Sequence, residues 1–135
     1  MSNSQFSMAL HVLALMAKSC DDRVKSEYIA QSVNTNPVVI RRLLRNLYDA
    51  KLVVSQTGAC GGSCLTRNPS EINLMEIYRA VECGDVFSLH RQKPDQDCPV
   101  GKGIETILCN LQKEVDSAIE ERLSKTTLQD VIEKI

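Results

Sequence analysis

The chain has 135 residues, of which 43% are hydrophobic and 24% are charged. This length and composition are typical of a globular protein with its own core, and they exclude an intrinsically disordered chain. The net charge of −1 hides an uneven distribution: residues 1–67 hold eight Lys or Arg against four Asp or Glu, whereas residues 68–135 hold eight against thirteen. The first half is therefore the candidate for binding a polyanion.

Two further features bear on the cellular compartment. No apolar run is long enough for a membrane span, and the N-terminus lacks the basic lead of a signal peptide, so we expect a cytoplasmic protein with no membrane partner. Structural disulfides are rare in the cytosol. Metal binding, redox chemistry or burial must then account for the six cysteines, which are Cys20, Cys60, Cys64, Cys83, Cys98 and Cys109.

The first elements predicted along the chain form a helix-turn-helix. A spacing of three and four between apolar residues predicts a helix over residues 4–17. A second helix is expected over residues 26–33, with the Ser26 hydroxyl capping a free backbone N–H of its first turn. A turn and a third helix follow, in which Asn36 is the N-cap and Pro37 takes the first helical position, where no N–H is needed.

The third helix has two chemically different faces. At about 100° per residue, aliphatic side chains fall together on one side and a cationic set falls on the other. The aliphatic set is Ile40, Leu43, Leu44 and Leu47, and the outward set is Val38, Arg41, Arg42 and Arg45. Such a helix suits insertion into a DNA major groove, and the alternative is a solvated basic face.

A glycine-rich hairpin is predicted after the third helix. Residues 52–54 have β character, residues 58–62 supply the bend, and Leu65 closes a return strand. The glycines allow the backbone to approach a phosphate or the minor groove. The candidate DNA contacts of this wing are Gln56, Thr57, Gly58, Gly61 and Gly62.

The second half of the chain is predicted to be helical around one loop. A helix is expected to begin at Asn73 or Leu74, and a loop to occupy residues 83–101. Beyond the loop, a near-heptad apolar stripe predicts the longest helix and favours a dimer arm. The stripe consists of Ile104, Ile107, Leu108, Leu111, Val115, Ala118, Ile119 and Leu123. A short last helix is expected after a cap at Thr126 or Thr127.

Four segments resemble the Rrf-two family of bacterial winged-helix regulators, which includes IscR, NsrR and CymR. They are residues 29–42 (IAQSVNTNPVVIRR), residues 47–65 with the GxxGG wing, residues 77–82 (IYRAVE) and residues 98–101 (CPVG). The resemblance covers nearly the whole chain and is closest to the YwnA-type branch. It implies a homodimer with crossing long helices, two recognition helices in successive major grooves, and wings at the flanking minor grooves.

Some members of this family hold a [2Fe-2S] cluster through three closely spaced cysteines and a fourth ligand. Here only Cys98 matches, as the last of the three. Val86 and Gln92 stand at the positions of the first two, and Gly101 stands in place of the histidine that follows. Since a cluster also needs thiolates that converge on one point, we expect no cofactor, and an iron-sulfur-sensing regulator is kept as an alternative.

Three cysteines are candidates for redox chemistry. Cys98 precedes Pro99 near the expected start of the long helix, where the positive end of the helix dipole favours a thiolate. A redox or electrophile switch and a buried structural thiol both agree with this position. In the wing, a bend between Cys60 and Cys64 could bring their thiols together. The other interpretation makes Cys64 a small buried hydrophobe and Cys60 an incidental exposed residue.

The sequence therefore predicts a mainly α fold with a small β-wing. A winged helix-turn-helix DNA-binding domain is expected over residues 1–67, and a helical linker, loop and dimerisation region over residues 68–135. The protein is expected to be a dimeric transcriptional regulator that binds double-stranded DNA at a specific sequence. It is expected to act as a repressor and to be switched by oxidation or modification of cysteine. Arg41 and Arg42 are expected to read base edges of a near-palindromic operator, and Arg45 to contact phosphate.

Two other classes of function are compatible with parts of the sequence to different degrees. A dimeric protein-interaction module that keeps the winged fold agrees with the sequence pI of about 6.1, which is low for a DNA-binding protein. An enzyme is not expected, because no nucleophile, base and orienting group occur at workable spacing. His11 and His90 also lack partners at zinc-ligand spacing, so each is interpreted as a surface or packing residue.

Overall fold

The computed structural model describes residues 4–19, 23–58, 61–81 and 91–135, and they fall into two compact units. The first unit holds the described residues between 4 and 81 together with 123–135, and the second holds 91–122. The helices are α1 (Gln5–Lys18), α2 (Ser26–Val33), α3 (Pro37–Asp49), α4 (Leu74–Val81), α5 (Pro99–Ser124) and α6 (Leu128–Ile132). The strands are β1 (Val53–Gln56) and β2 (Gly62–Leu65), followed by a 3-10 turn at Pro69–Glu71.

An aliphatic core holds the first unit together. Its fully buried side chains come from α1, α2, α3, α4, α6 and the segments beside the hairpin, namely Val12, Leu13, Met16, Ile29, Ile40, Leu47, Leu52, Val53, Ile72, Ile77 and Leu128. Removing these aliphatic groups from water is the main favourable contribution to folding. The helix-turn-helix is thus supported by elements from both halves of the chain.

Side-chain caps fix where two helices of this unit begin. The Oδ1 atom of Asn36 accepts from the backbone N–H of Val38 at 2.8 Å, and Pro37 is the first residue of α3, as predicted. At the start of α4, Asn73 and Glu76 each accept from the other's backbone N–H, both at 3.0 Å. These bonds satisfy N–H groups that have no partner inside the helix.

The start of α2 differs from the prediction. Lys25, in extended backbone, is the N-cap and makes no side-chain capping bond, and Ser26 is the first helical residue. The turn closes through the backbone, since the N–H of Ile29 donates to the Lys25 carbonyl at 3.1 Å. The Ser26 hydroxyl instead donates to the carboxylate of Glu27 at 3.5 Å. The predicted Ser26 cap is therefore wrong.

The wing is an antiparallel hairpin of β1 and β2, with Val53 opposite Leu65. It is attached to the segment before α2, because Val24 and Ser63 exchange backbone hydrogen bonds of 2.9 and 2.8 Å. Both side chains are buried. This bridge fixes the position of the hairpin relative to the helix-turn-helix.

The end of the chain also belongs to the first unit. The N–H of Leu128 donates to the carbonyl of Ile72 at 2.8 Å, and a capping box between Thr127 and Asp130 starts α6, with Thr127 as one of the two predicted caps. The predicted division after residue 67 therefore runs through this unit. Pairing between segments so distant in sequence has no local signature.

The second unit consists of residues 91–98 and α5 up to residue 122. α5 begins at Pro99, so the predicted loop ends three residues earlier than expected, in agreement with the preference of Pro for the first helical turn. None of the α5 side chains is buried. In the part of the chain that the structure describes, no helix is both long and apolar enough to cross a membrane.

Candidate nucleic-acid interface

The predicted division of α3 into two faces is confirmed. The buried set is Ile40, Leu43, Leu44 and Leu47, and the exposed set is Val38, Arg41, Arg42 and Arg45. Val38 is aliphatic like the buried set, but it lies on the opposite side of the helix and is 54% exposed. The exposed face therefore combines three guanidinium groups with one apolar group.

The wing and α3 line an open cleft of about 920 Å³ in the first unit. Lys25 and the start of α2 line it as well. Of the twelve predicted DNA contacts, eight line this cleft: Ser26, Arg41, Arg45, Gln56, Thr57, Gly58, Gly61 and Gly62. The other four, which do not line it, are Asn36, Pro37, Val38 and Arg42 of the α3 face and its cap.

Two of the α3 arginines are paired with carboxylates. The Nη2 atom of Arg41 lies 3.3 Å from Oε1 of Glu27 on α2, and Nε of Arg45 lies 3.4 Å from Oδ1 of Asp49 one turn along α3. All four side chains are more than half exposed, so water screens both pairs and they add little to stability. Arg42 forms no ion pair with any residue in the described ranges.

Glu27 is an anion beside these cations. A hydrogen bond from its own backbone N–H is the main cause that lowers the pKa of its carboxyl group, and the Arg41 guanidinium lowers that pKa further. The carboxylate is therefore charged at neutral pH and lies within hydrogen-bond distance of the Arg41 guanidinium. Guanidinium groups held in this way can donate to guanine O6 and N7 or to phosphate oxygens.

The backbone of the hairpin requires glycine at all three predicted positions. Gly62 has a φ of +137°, which L side chains rarely adopt, and a Cβ atom there would lie 2.9 Å from the carbonyl oxygen of Val24. A Cβ atom on Gly61 would collide with the carbonyl of Gln56. Gly58, with a φ of +104°, faces open space. The hairpin's own geometry thus accounts for the glycines before any ligand is considered.

The sequence interpretation missed several residues of the cleft. A helical wheel could have found Tyr48, which follows Arg41 by about two turns on the same face and is 53% exposed. Lys25 and Glu27 carry no periodic signal, because they line the cleft from outside α3, and Glu27 contacts α3 across the turn. The hydroxyl groups of Ser55 and Ser63 lie 2.9 Å apart across the hairpin and also had no signal.

The predicted dimer stripe lies along α5, and none of its side chains is fully buried. Its half-buried members are Ile104, Leu108, Val115, Ile119 and Leu123, and its exposed members are Ile107, Leu111 and Ala118. Ile107 is 62% exposed and Leu111 is 43% exposed. Leu123 differs from the others, because it packs against the core of the first unit.

The structure describes two of the three redox candidates. Cys98 is exposed immediately before α5, where its carbonyl accepts from the N–H of Lys102 at 2.8 Å, so the alternative of a buried thiol is wrong. Cys64 is half-buried in β2 and its thiol is free. The residues named in the sequence analysis that lie outside the described ranges are Cys20, Cys60, Cys83, Val86 and His90. His11 contacts Ser32, with Nε2 3.0 Å from Oγ, on the surface.

The residues around Cys98 do not fit an iron-sulfur cluster. Gln92 and Gly101 stand at two of the expected ligand positions, and neither supplies the thiolate or imidazole that such clusters use. Within residues 4–19, 23–58, 61–81 and 91–135, no three His, Cys, Asp or Glu side chains converge as a metal site. The donors present do not support a cluster.

Comparisons with known proteins point to a family of transcriptional regulators. A family model described as "Rrf2: Iron-dependent Transcriptional regulator" matches residues 2–134. YwnA of Bacillus subtilis (strain 168), a candidate HTH-type transcriptional regulator, is 41% identical over 133 residues, which cover 98% of this chain and 97% of YwnA.

Solved structures show the same fold. The crystal structure of a candidate DNA-binding protein has a TM-score of 0.76 at 38% identity and covers 96% of this chain and 99% of that one. CymR (YrzC), the global cysteine regulator of Bacillus subtilis, has a TM-score of 0.72 over 100% of this chain and 98% of its own. At 24% identity, the CymR likeness shows the fold alone.

Proposed function

This chain belongs to the Rrf2, or Rrf-two, family of transcriptional regulators, and from that membership we propose that it binds a near-palindromic operator as a homodimer. Its family and its winged-helix fold are those of DNA-binding regulators and not of enzymes. The observation that carries the proposal is the capped, outward face of α3 beside the docked wing. The cleft between them joins cationic side chains with wing backbone.

Each element of this face has a separate role in the proposed complex. Arg41 and Arg42 read base edges from α3 in the major groove, and Val38 offers an apolar contact of the kind that a thymine methyl group accepts. Arg45 contacts phosphate, which positions the protein without specifying sequence. The capped α3 start at Asn36 and Pro37 approaches the groove.

The other candidates line the cleft between α2 and the wing. The Ser26 hydroxyl, at the start of α2, can donate to a phosphate once it leaves the Glu27 carboxylate. Gln56 and Thr57 contact the backbone near the minor groove, where Gly58, Gly61 and Gly62 keep the wing narrow. In functional terms, residues 1–67 read DNA, and within residues 68–135 the α5 helix serves pairing.

Dimerisation is supported by the exposed stripe on α5. A helix that leaves Ile107 and Leu111 in water has apolar surface that a second copy can cover. Two copies related by a twofold axis present two α3 helices to half-sites about one helical turn or more apart, and this symmetry predicts an inverted repeat. Sedimentation of the purified protein tests the stoichiometry.

Selection from random duplexes tests sequence-specific binding. An enriched inverted repeat is expected, and its affinity should fall log-linearly with rising salt as phosphate contacts release counterions. A pool with no enriched repeat would contradict the proposal. Apolar binding to a protein partner with little dependence on salt would favour the interaction module instead.

Repression is the proposed regulatory outcome, with the protein acting in the cytoplasm where the DNA lies. An operator that overlaps a promoter is blocked when the dimer occupies it. Deleting the gene should raise transcription next to the selected operator, and restoring the parent chain should lower it. A fall in transcription upon deletion would identify an activator.

Thiol chemistry at Cys98 is the proposed signal, since this side chain is exposed at the start of α5. A peroxide converts its thiol to a sulfenic acid and releases water, or an electrophile alkylates it. Operator affinity should fall in treated parent protein and persist in Cys98→Ser. Equal loss in both proteins would exclude Cys98 and turn attention to Cys60 and Cys64.

A further inference from the structure

The ion pair between Glu27 and Arg41 brings a carboxylate onto the surface that is assigned to DNA. It joins the start of α2 to the middle of α3 across the turn, with 3.3 Å between Oε1 and Nη2. Glu27 is the acidic residue among the described residues that line the cleft. A carboxylate at this place repels phosphate, so it needs a role that offsets this cost in affinity.

The geometry of Glu27 suits the orientation of a guanidinium. One carboxylate oxygen is used on Arg41, and the other accepts from the Ser26 hydroxyl at 3.5 Å. Arg41 has five N–H donors in a planar fork, so contact through one Nη2 hydrogen leaves donors for the O6 and N7 atoms of a guanine. Asp49 differs, because its partner Arg45 is on the same helix and Asp49 itself does not line the cleft.

We propose that Glu27 is a specificity-determining residue that positions Arg41 for a base edge and penalises its use on phosphate. On the operator, the guanidinium contacts Glu27 and the base together. On other sequences, transfer of Arg41 to a phosphate leaves the Glu27 carboxylate unpaired against the DNA backbone. This inference rests on the proposed function, since it requires that the parent protein prefers one operator.

Two substitutions that each remove one negative charge distinguish the effect of where the carboxylate lies from the effect of charge alone. Glu27→Gln and Asp49→Asn are compared with the parent for binding to the selected operator and to an unrelated duplex of equal length, across a salt series. Both variants should bind the unrelated duplex more tightly. The ratio of operator to unrelated affinity should fall about tenfold in Glu27→Gln, as expected for losing one oriented arginine–guanine pair, and stay near the parent value in Asp49→Asn.

Substitution of Arg41 tests whether Glu27 acts through that residue. In an Arg41→Ala background, Glu27→Gln should leave the affinity ratio unchanged. Circular dichroism of each variant confirms the fold, which these exposed side chains should not alter. Equal ratios in Glu27→Gln and the parent, or a fall of the same size with Arg41 already removed, would overturn the inference.

The failure of the inference differs from that of the proposed function. A parent protein with no operator preference removes both. A parent that discriminates as well as Glu27→Gln removes the role of Glu27 alone and leaves operator binding intact.

Discussion

α3 and α5 are both amphipathic helices, and they differ in what covers their apolar faces. The aliphatic face of α3 is buried by its own unit, whereas no side chain of α5 is buried. The same kind of periodic pattern therefore serves two purposes. α3 uses its apolar face to hold a cationic face in position, and α5 presents its apolar stripe outward, where association can bury it.

Matched Leu→Ala substitutions give the largest expected effects on this comparison. Leu47→Ala leaves a cavity at a fully buried site of α3 and should lower the free energy of unfolding by about 2–5 kcal/mol at any protein concentration. Leu111→Ala should lower it only where two copies are associated, because the lost contact lies between copies. Urea denaturation at several protein concentrations measures both. Concentration-independent losses of equal size would refute the assignment of α5 to pairing.

Arg42→Ala tests whether DNA reading and pairing are separate. Removing this guanidinium should weaken operator binding by about 1–3 kcal/mol and leave the sedimentation coefficient unchanged. Lys113→Ala removes the same charge from α5 and should change operator affinity much less, apart from general attraction. Fluorescence anisotropy on a labelled operator measures both variants. A larger loss of operator affinity in Lys113→Ala than in Arg42→Ala would place the main DNA contact on α5 and contradict this separation.

Asn36→Ala asks how far the cap supports the outward face of α3. Loss of the 2.8 Å bond to Val38 should cost about 0.5–2 kcal/mol of stability, measured by thermal unfolding. Asn36→Ser keeps a side-chain acceptor and should recover most of the loss. If serine and alanine are equally destabilising, another contact of Asn36 is responsible.

The smallest expected effect is on the pH dependence of stability, through the capping box at the start of α6. The backbone N–H of Thr127, and then its hydroxyl, lower the pKa of Asp130 from its ordinary value of 3.8. A lowered folded pKa means that this stabilisation is complete above about pH 4 and is lost as pH falls through the folded value. Asp130→Asn should therefore flatten the acid side of the Tm profile.

The control for that measurement is Asp116→Asn on α5, which removes an exposed aspartate outside the capping box. Its Tm profile should follow the parent's in acid. An acid profile of Asp130→Asn that is no flatter than the control's would show that the Thr127 bonds do not couple folding to protonation.

Local patterns predicted much of the fold. The faces of α3 follow from spacing, and the Asn36 and Thr127 caps follow from side chains that reach their own first turn. The wing could be placed because residues 58–62 combine glycines between apolar strands. In the site, the same reasoning identified Arg41 and Arg42 because a helical wheel separates them from the aliphatic face.

Contacts between distant segments could not be predicted in this way. The Glu27–Arg41 pair crosses a turn. The hydrogen bond from Leu128 to Ile72 connects one segment that precedes the second unit in the sequence with one that follows it. The Ser26 prediction failed for a local reason, since serine suits both a cap and the first helical position. Extended backbone at Lys25 decided between them.

The bridge between Val24 and Ser63 has a consequence for the DNA itself. Two backbone hydrogen bonds hold β2 to the segment before α2 at Ser63, so in the proposed complex this part of the wing cannot follow a variable minor groove unless these bonds break. In the proposed complex, the duplex then supplies part of the adjustment, through its local groove width and bending. Operator positions beside the wing should be selected for ease of deformation, so sequence preference can extend to base pairs that no side chain touches.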